Sequence, residues 1–207
     1  LKEIKSFMDK RNPNSVVELF EYKTNEIENE IKLLRRKQEI MSNKMKLIKQ
    51  AEKILPNIND LVIEEQDEEF LSLSNEVDKD KFPYDSEEYA KHLDYSYKQG
   101  LYIGYPMGFI KTIDDLYSEN ENVYTYYYIK TNKIDNKSVA IKPKGKYLVG
   151  YLNDSYVNVN KLYNKMLDYI KQHNLEIIGY SYEEVLLDLV SVQEMNDYII
   201  KVSIQIK

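Results

Sequence analysis

Between residue 15 and about residue 55, apolar side chains recur at alternating steps of four and three. The positions are Phe20, Thr24, Ile27, Ile31, Leu34, Gln38, Met41, Met45, Ile48, Glu52 and Leu55, and eight of the eleven are apolar. So narrow a seam predicts a coiled-coil helix rather than the broader stripe of a helix lying on a globular core. Asn12 before Pro13 fits an N-cap with proline at the first helical position, and Ser15 to Glu18 also has capping-box spacing. Leu55-Pro56-Asn57 ends the helix, because proline cannot continue it. At about 1.5 Å per residue the helix is on the order of 60 Å long, too long to bury its seam on one small domain. It is therefore expected to pair with a second copy, giving a homodimer through the 15–55 helix.

Past Pro56 the pattern changes to short alternating runs interrupted by two helical stretches. "YAKHLDYSYKQGL" from Tyr89 and "YNKMLDYIKQHNL" from Tyr163 align without a gap at an offset of 74 residues, matching Tyr89 with Tyr163, Leu93 with Leu167 and Asp94 with Asp168. An apolar strand precedes each ("EEFLSLSNEV", "GKYLVGYLND"), and each runs into Gly-Tyr and another strand, at Gly104-Tyr105 and Gly179-Tyr180. The pattern predicts an α+β chain: a long N-terminal coiled-coil helix, then a duplicated β-α-β-β unit with pseudo-twofold symmetry. In the Gly-Tyr frame, Glu184 takes the place of Phe109.

The strand "IIGYSYEEVLLDL" carries two adjacent carboxylates. Strict alternation puts Tyr180, Tyr182, Glu184, Leu186 and Asp188 on one face, and Ser181, Glu183, Val185 and Leu187 on the other. An inward carboxylate among tyrosines is costly to ionise unless hydroxyls or a cation meet it. Glu184 is expected to be that group, with Glu183 toward the helix-packed side or its rim. In "VYTYYYIKT" one face is expected to line a cavity and the other to pack on helices.

Composition narrows the chemistry. The 207 residues include 20 tyrosines, no cysteine, no tryptophan and two histidines, at a formal net charge of −6. Without cysteine there is no disulfide framework and no thiolate metal site, which suits a reducing cytoplasm. No metal and no cofactor is expected: Gly-rich phosphate loops are missing, "KPKGKY" reads as a basic hairpin turn, and His92 and His173 read as surface residues. An acidic chain is a poor grip for nucleic acid by itself. No apolar run approaches a membrane span, and no secretory leader is evident.

The N-terminal "LKEIKSFMDKRNP" with its heptad helix resembles the end of the winged helix-turn-helix and the dimerisation helix of MerR family regulators. From about Asn59 to Lys207 the chain resembles the GyrI-like effector-binding domain of the multidrug-responsive, BmrR-like branch. The resemblance implies residues 1–12 as a remnant of the DNA-reading domain, 13–56 as dimerisation helix and 57–207 as effector domain, with the helix-turn-helix preceding Leu1. Lys2, Lys5, Lys10 and Arg11 are then compatible with DNA backbone contacts. It further implies a cytoplasmic sensor that binds a lipophilic, cationic, aromatic drug-like molecule and, through the intact protein, distorts promoter DNA for RNA polymerase.

By the same resemblance, "YSYEEVLLDL" places Glu184 at the floor of the pocket with Tyr180 and Tyr182. Leu186 stands where many members have tyrosine. Tyr198, Phe109, Tyr105, Tyr147 and Tyr151 are further candidates for its walls. Two other readings are a small GyrI-like hydrolase with Glu184 as general base, and a protein-binding module like the gyrase inhibitors. Leu186 in place of a tyrosine weighs against the first, and the heptad helix against the second, so the chain is expected not to be an enzyme.

Overall fold

A computed structural model describes residues 12–79, 86–118, 123–132 and 139–207. Helix α1 spans Pro13–Ile54, followed by a 3-10 turn at Leu55–Asn57. Its start is a reciprocal cap at Asn12: the Asn12 side chain accepts from the Ser15 amide at 2.9 Å while the Ser15 hydroxyl accepts from the Asn12 amide at 3.1 Å. Asn12, rather than Ser15, is thus the first capping residue. The expected DNA-contact residues Lys2, Lys5, Lys10 and Arg11 lie outside the described residues.

The chain divides into two compact units, residues 1–41 and 42–207. In the first, the seam residues Phe20, Ile27, Ile31 and Leu34 are exposed. In the second, the last turns of α1 use a different stripe: Leu47 and Ala51 are buried with Leu186 and Ile199, while Met45 stays exposed. Asn43, also buried, donates to the Ile103 carbonyl at 2.8 Å. One helix therefore carries two apolar faces, of which only one is covered.

The remaining elements are β1 (Val62–Gln66), β2 (Glu69–Leu73), α2 (Ser86–Lys98), β3 (Gly108–Lys111), α3 (Ile113–Leu116), β4 (Tyr126–Thr131), β5 (Val139–Lys142), β6 (Gly145–Asn153), α4 (Val159–Gln172), β7 (Ile177–Leu187) and β8 (Ile199–Ile206). They form one antiparallel eight-stranded sheet in the order β1-β6-β8-β7-β3-β4-β2-β5. Reading inward from both edges pairs β1 with β5, β6 with β2, β8 with β4 and β7 with β3. The repeat is therefore β-β-α-β-β, one strand longer than the sequence suggested. The added strands are exchanged, since β1 pairs with β6 and β5 with β2. The "KPKGKY" turn is accordingly no hairpin: β5 is one edge of the sheet and β6 is second from the other, and the turn carries the chain from one half to the other.

The helix offset holds through the helix ends. Leu101 donates to the Ser96 carbonyl at 2.8 Å and Leu175 to that of Ile170 at 3.0 Å, closing α2 and α4 alike. The left-handed residue this closure requires is Gly100 (φ 66°) in one copy and Asn174 (φ 52°) in the other.

Both helices pack on one face of the sheet. Leu162, Tyr163 and Met166 of α4 bury Leu148, Val202 and Ile204, and Tyr89 and Leu93 of α2 cover Phe109, Tyr127 and Ile129. The other face curls on itself, so that the Lys142 ammonium on edge strand β5 sits over the rings of Tyr147 (5.0 Å) and Tyr182 (5.2 Å).

Candidate functional site

Both carboxylates of β7, Glu183 and Glu184, are inward, one on each face. Glu184 lies on the curled face, nearly buried, and pairs with Lys130 and with Lys201 (3.9 Å). Lys130 and Lys142 also reach Glu69, at 2.6 and 3.0 Å, and Lys201 reaches Glu64 at 3.6 Å. Burial alone would raise the Glu184 carboxyl, but Lys130, Lys201 and Lys142 outweigh it and hold the group well below the usual carboxylate range. Three lysines against three glutamates make a cluster of balanced charge, in which one Glu184 oxygen is buried without a hydrogen bond among the described residues.

Among the described residues a space of about 10 Å³ adjoins it, bordered by Leu47, Tyr105, Lys130 and Glu184. That volume holds at most a single water. Tyr182, Tyr147 and Tyr151 pack in the same layer, with the Tyr147 hydroxyl donating to the Pro143 carbonyl at 2.7 Å. Leu186 is seated against Leu47 of α1, and Tyr180 is exposed. Tyr182, Tyr147, Tyr151 and Leu186 thus pack on the curled face, apart from the larger cavity on the helix-packed face.

A cavity of about 520 Å³ opens on the helix-packed face, lined by Tyr89, Phe109, Tyr156, Val185, Asp188 and Tyr198 among others. Of the expected residues, Phe109 and Tyr198 belong to it. It lies where the two halves meet: Phe109 comes from β3, Val185 from β7, Tyr89 from α2 and Tyr156 from the turn before α4. Cavity and helices therefore share one face, which removes the opposition expected for the 123–129 run. Tyr127 and Ile129 lie on that face and Tyr126 and Tyr128 on the other, while Tyr124, ahead of the strand, joins Tyr127.

Behind the Phe109 and Tyr156 rings, 5.1 Å apart, lies Glu183. It is fully buried; one carboxylate oxygen accepts from the Tyr163 hydroxyl at 2.8 Å and the other from that of Tyr124 at 3.4 Å. Its carbonyl accepts from the Tyr128 hydroxyl at 3.0 Å. Burial pushes its carboxyl up to about 7, against the opposing pull of Lys111 and the two hydroxyls. Lys111, diagonal to Glu183 on β3, holds its ammonium 4.6 Å from the Tyr163 ring centre and 4.9 Å from that of Tyr124. At the cavity rim Asp188 pairs with Lys44 of α1 at 2.7 Å.

The histidines are elsewhere. His92 is buried rather than on the surface, bonded to the Ser72 carbonyl at 3.0 Å, and burial lowers its pKa. His173 is exposed at the end of α4, stacked on Tyr169. Among the described residues no cluster suited to a metal ion occurs, and no helix is long and apolar enough to cross a membrane.

No family profile matches the chain. Over 211 aligned residues it is 26% identical to the multidrug-efflux transporter 2 regulator of Bacillus subtilis, spanning 100% of this chain and 75% of that protein. Among solved structures, EcmrR in its DNA complex within EcmrR-RPo superposes with a TM-score of 0.54 at 10% identity, over 100% of this chain and 77% of that one. The EcmrR C-terminal domain gives 0.52 at 9% identity, over 72% of this chain and 97% of that one. The chain thus shares the fold of the EcmrR C-terminal domain behind a long N-terminal helix, and along its whole length it is similar to a protein named a multidrug-efflux transporter regulator.

Proposed function

We propose that the chain is the ligand-sensing and dimerising part of a multidrug-responsive MerR-type transcription regulator. The observation that carries this reading is the aromatic cavity between the duplicated halves, with a buried carboxylate behind its wall. Its volume suits a drug-sized aromatic molecule, and concave apolar walls with few polar groups are the usual form of such sites. Phe109, Tyr156, Val185 and Tyr198 are the contact residues of this reading. Glu183, not Glu184, is its acidic group.

The exposed seam of α1 pairs with a second copy, and the intact protein acts on promoter DNA and the polymerase that reads it. Similarity to a protein named a regulator, and a fold shared with EcmrR in its DNA complex, support that role. The site binds rather than catalyses: Glu183 is sealed by two tyrosine hydroxyls and lies behind the cavity wall. A ligand that prefers one arrangement of the dimer shifts the population toward it, which is all that control requires.

Displacement of the neutral dye N-phenyl-1-naphthylamine tests the site. Aromatic ligands should compete for the dye on the wild-type chain, and Val185→Trp, which fills the cavity, should abolish both dye and competitor binding. Unchanged binding in that variant would move the ligand site elsewhere.

A further inference from the structure

Glu183 lies behind the wall of the cavity, but a second carboxylate is part of that wall. Among the described residues that line the cavity, Asp188 is the one carboxylate, and no lysine, arginine or histidine joins it. Tyr89, Phe109, Tyr156 and Tyr198 share the lining. A fixed negative charge beside aromatic rings suits a cation with an apolar body. The charge is fixed by its own turn: one Asp188 oxygen accepts from the Val190 amide at 3.1 Å, and the Asp188 carbonyl accepts from the Ser191 and Val192 amides at 2.7 and 3.0 Å. The other carboxylate oxygen holds Lys44 of α1 at 2.7 Å. Both side chains keep about a fifth of their surface in solvent, so the lysine can swing its ammonium to water without unpacking the core.

Lys44 stands where its partner matters to the helix. Asn43 beside it bonds to the Ile103 carbonyl, and Leu47, one turn on, packs with Leu186, two residues before Asp188. The last turns of α1 are thus held to the end of β7 and the turn after it by an apolar contact and an ion pair. We infer that the Lys44–Asp188 pair is the contact through which a charged ligand in the cavity acts on α1: the ligand's cation takes the place of Lys44 on Asp188 and releases the lysine from the turn. The inference rests on the cavity being the ligand site. An uncharged ligand of the same shape fills the cavity and leaves the pair closed. Ligand charge is therefore read at one ion pair, and by reciprocity a helix held in the released arrangement binds cations more tightly.

An isosteric pair separates charge from shape: 4-methylbiphenyl and N-methyl-4-phenylpyridinium, each competed against N-phenyl-1-naphthylamine. Asp188→Asn should weaken the cation about tenfold relative to the neutral molecule, and Lys44→Met, which removes the competitor, should strengthen it by a similar factor. A merely structural role for the pair would move both molecules in the same direction. Release of the helix is read by amide hydrogen exchange at residues 44–48, which should be about fivefold faster with the cation bound than with the neutral molecule bound. That difference should vanish in Lys44→Met. Should Asp188→Asn not fold, the affinity ratio and the exchange in Lys44→Met decide alone. An unchanged ratio in the variants, or equal exchange with the two ligands on the wild-type chain, would overturn the inference; loss of both ligands in Val185→Trp would then leave the pocket reading intact. Binding indifferent to Val185→Trp would overturn both.

Discussion

Phe109 and Glu183 face each other across the β3 and β7 ladder and are also each other's equivalents in the two repeats, 74 residues apart. The pseudo-twofold axis therefore passes between them. On one side it meets a ring that lines the cavity, and on the other a carboxylate sealed behind it. The lopsided chemistry of the site is one substitution at the centre of a symmetric scaffold.

Glu183 makes stability fall as pH rises. Its carboxyl is raised from 4.5 to about 7, so the folded chain holds the proton more tightly than the unfolded one, and stability declines between those values. The span corresponds to about 3 kcal/mol. Glu183→Gln should remove this decline and be more stable than wild type above pH 7. Urea unfolding at pH 5 and pH 8 measures it, and equal slopes with pH in the two proteins would refute the burial argument.

Glu184 should behave oppositely. Its carboxyl is depressed by the three lysines, so its contribution is present at neutral pH and disappears as the pH falls below the ordinary glutamate range. Glu184→Gln leaves three buried or nearly buried lysines facing two glutamates, and breaking such a cluster costs about 3 kcal/mol. A large drop in the urea midpoint at pH 7 is expected, with no specific loss of dye affinity once the protein is folded.

The Lys44 and Asp188 pair is the link between α1 and the cavity rim. Both side chains are about four-fifths buried. A double-mutant cycle with Lys44→Met and Asp188→Asn should give a coupling of about 1 kcal/mol in stability. Ligand affinity measured in the same cycle shows whether the rim and the helix share energy; strict additivity would mean that they do not.

Gly108 is fixed by close approach. A Cβ there would lie 2.4 Å from the Tyr128 ring and 2.5 Å from the Glu183 carbonyl oxygen. Gly108→Ala must push Tyr128 off that carbonyl, and overpacking of this kind costs roughly 1 to 3 kcal/mol. Thermal unfolding reads the loss.

The α1 seam predicts assembly. Sedimentation equilibrium should give a dimer for the wild-type chain, and Ile27→Lys combined with Leu34→Lys should give a monomer. Dimer persistence in that variant would place the interface on another surface.

The helix, the duplication and the presence of an inward carboxylate were all readable from spacing, because periodicity reports which side of an element is buried. Which glutamate lies on which face of the sheet relative to the larger cavity was not. The frame taken from the Gly-Tyr pairs fails because Gly104 lies in a loop at φ 103° while Gly179 lies within β7. The ungapped helix frame, continued through the strand, puts Glu183 opposite Phe109. Alternation could not decide between the glutamates either, because both faces of β7 are buried and each carboxylate has partners from distant strands. Lys111, Lys130 and Lys201 carry no local signal of the residue they neutralise.

The exchange of β1 and β5 has a further consequence. Neither repeat closes its own sheet edge, so a fragment holding one repeat would present an open edge and should not fold alone. Two identical chains arranged in this way would place the same residue on both sides of the axis, two rings or two acids. Only a single continuous polypeptide can put an aromatic on one side and an acid on the other. The covalent joining of the halves is what gives the recognition centre its direction.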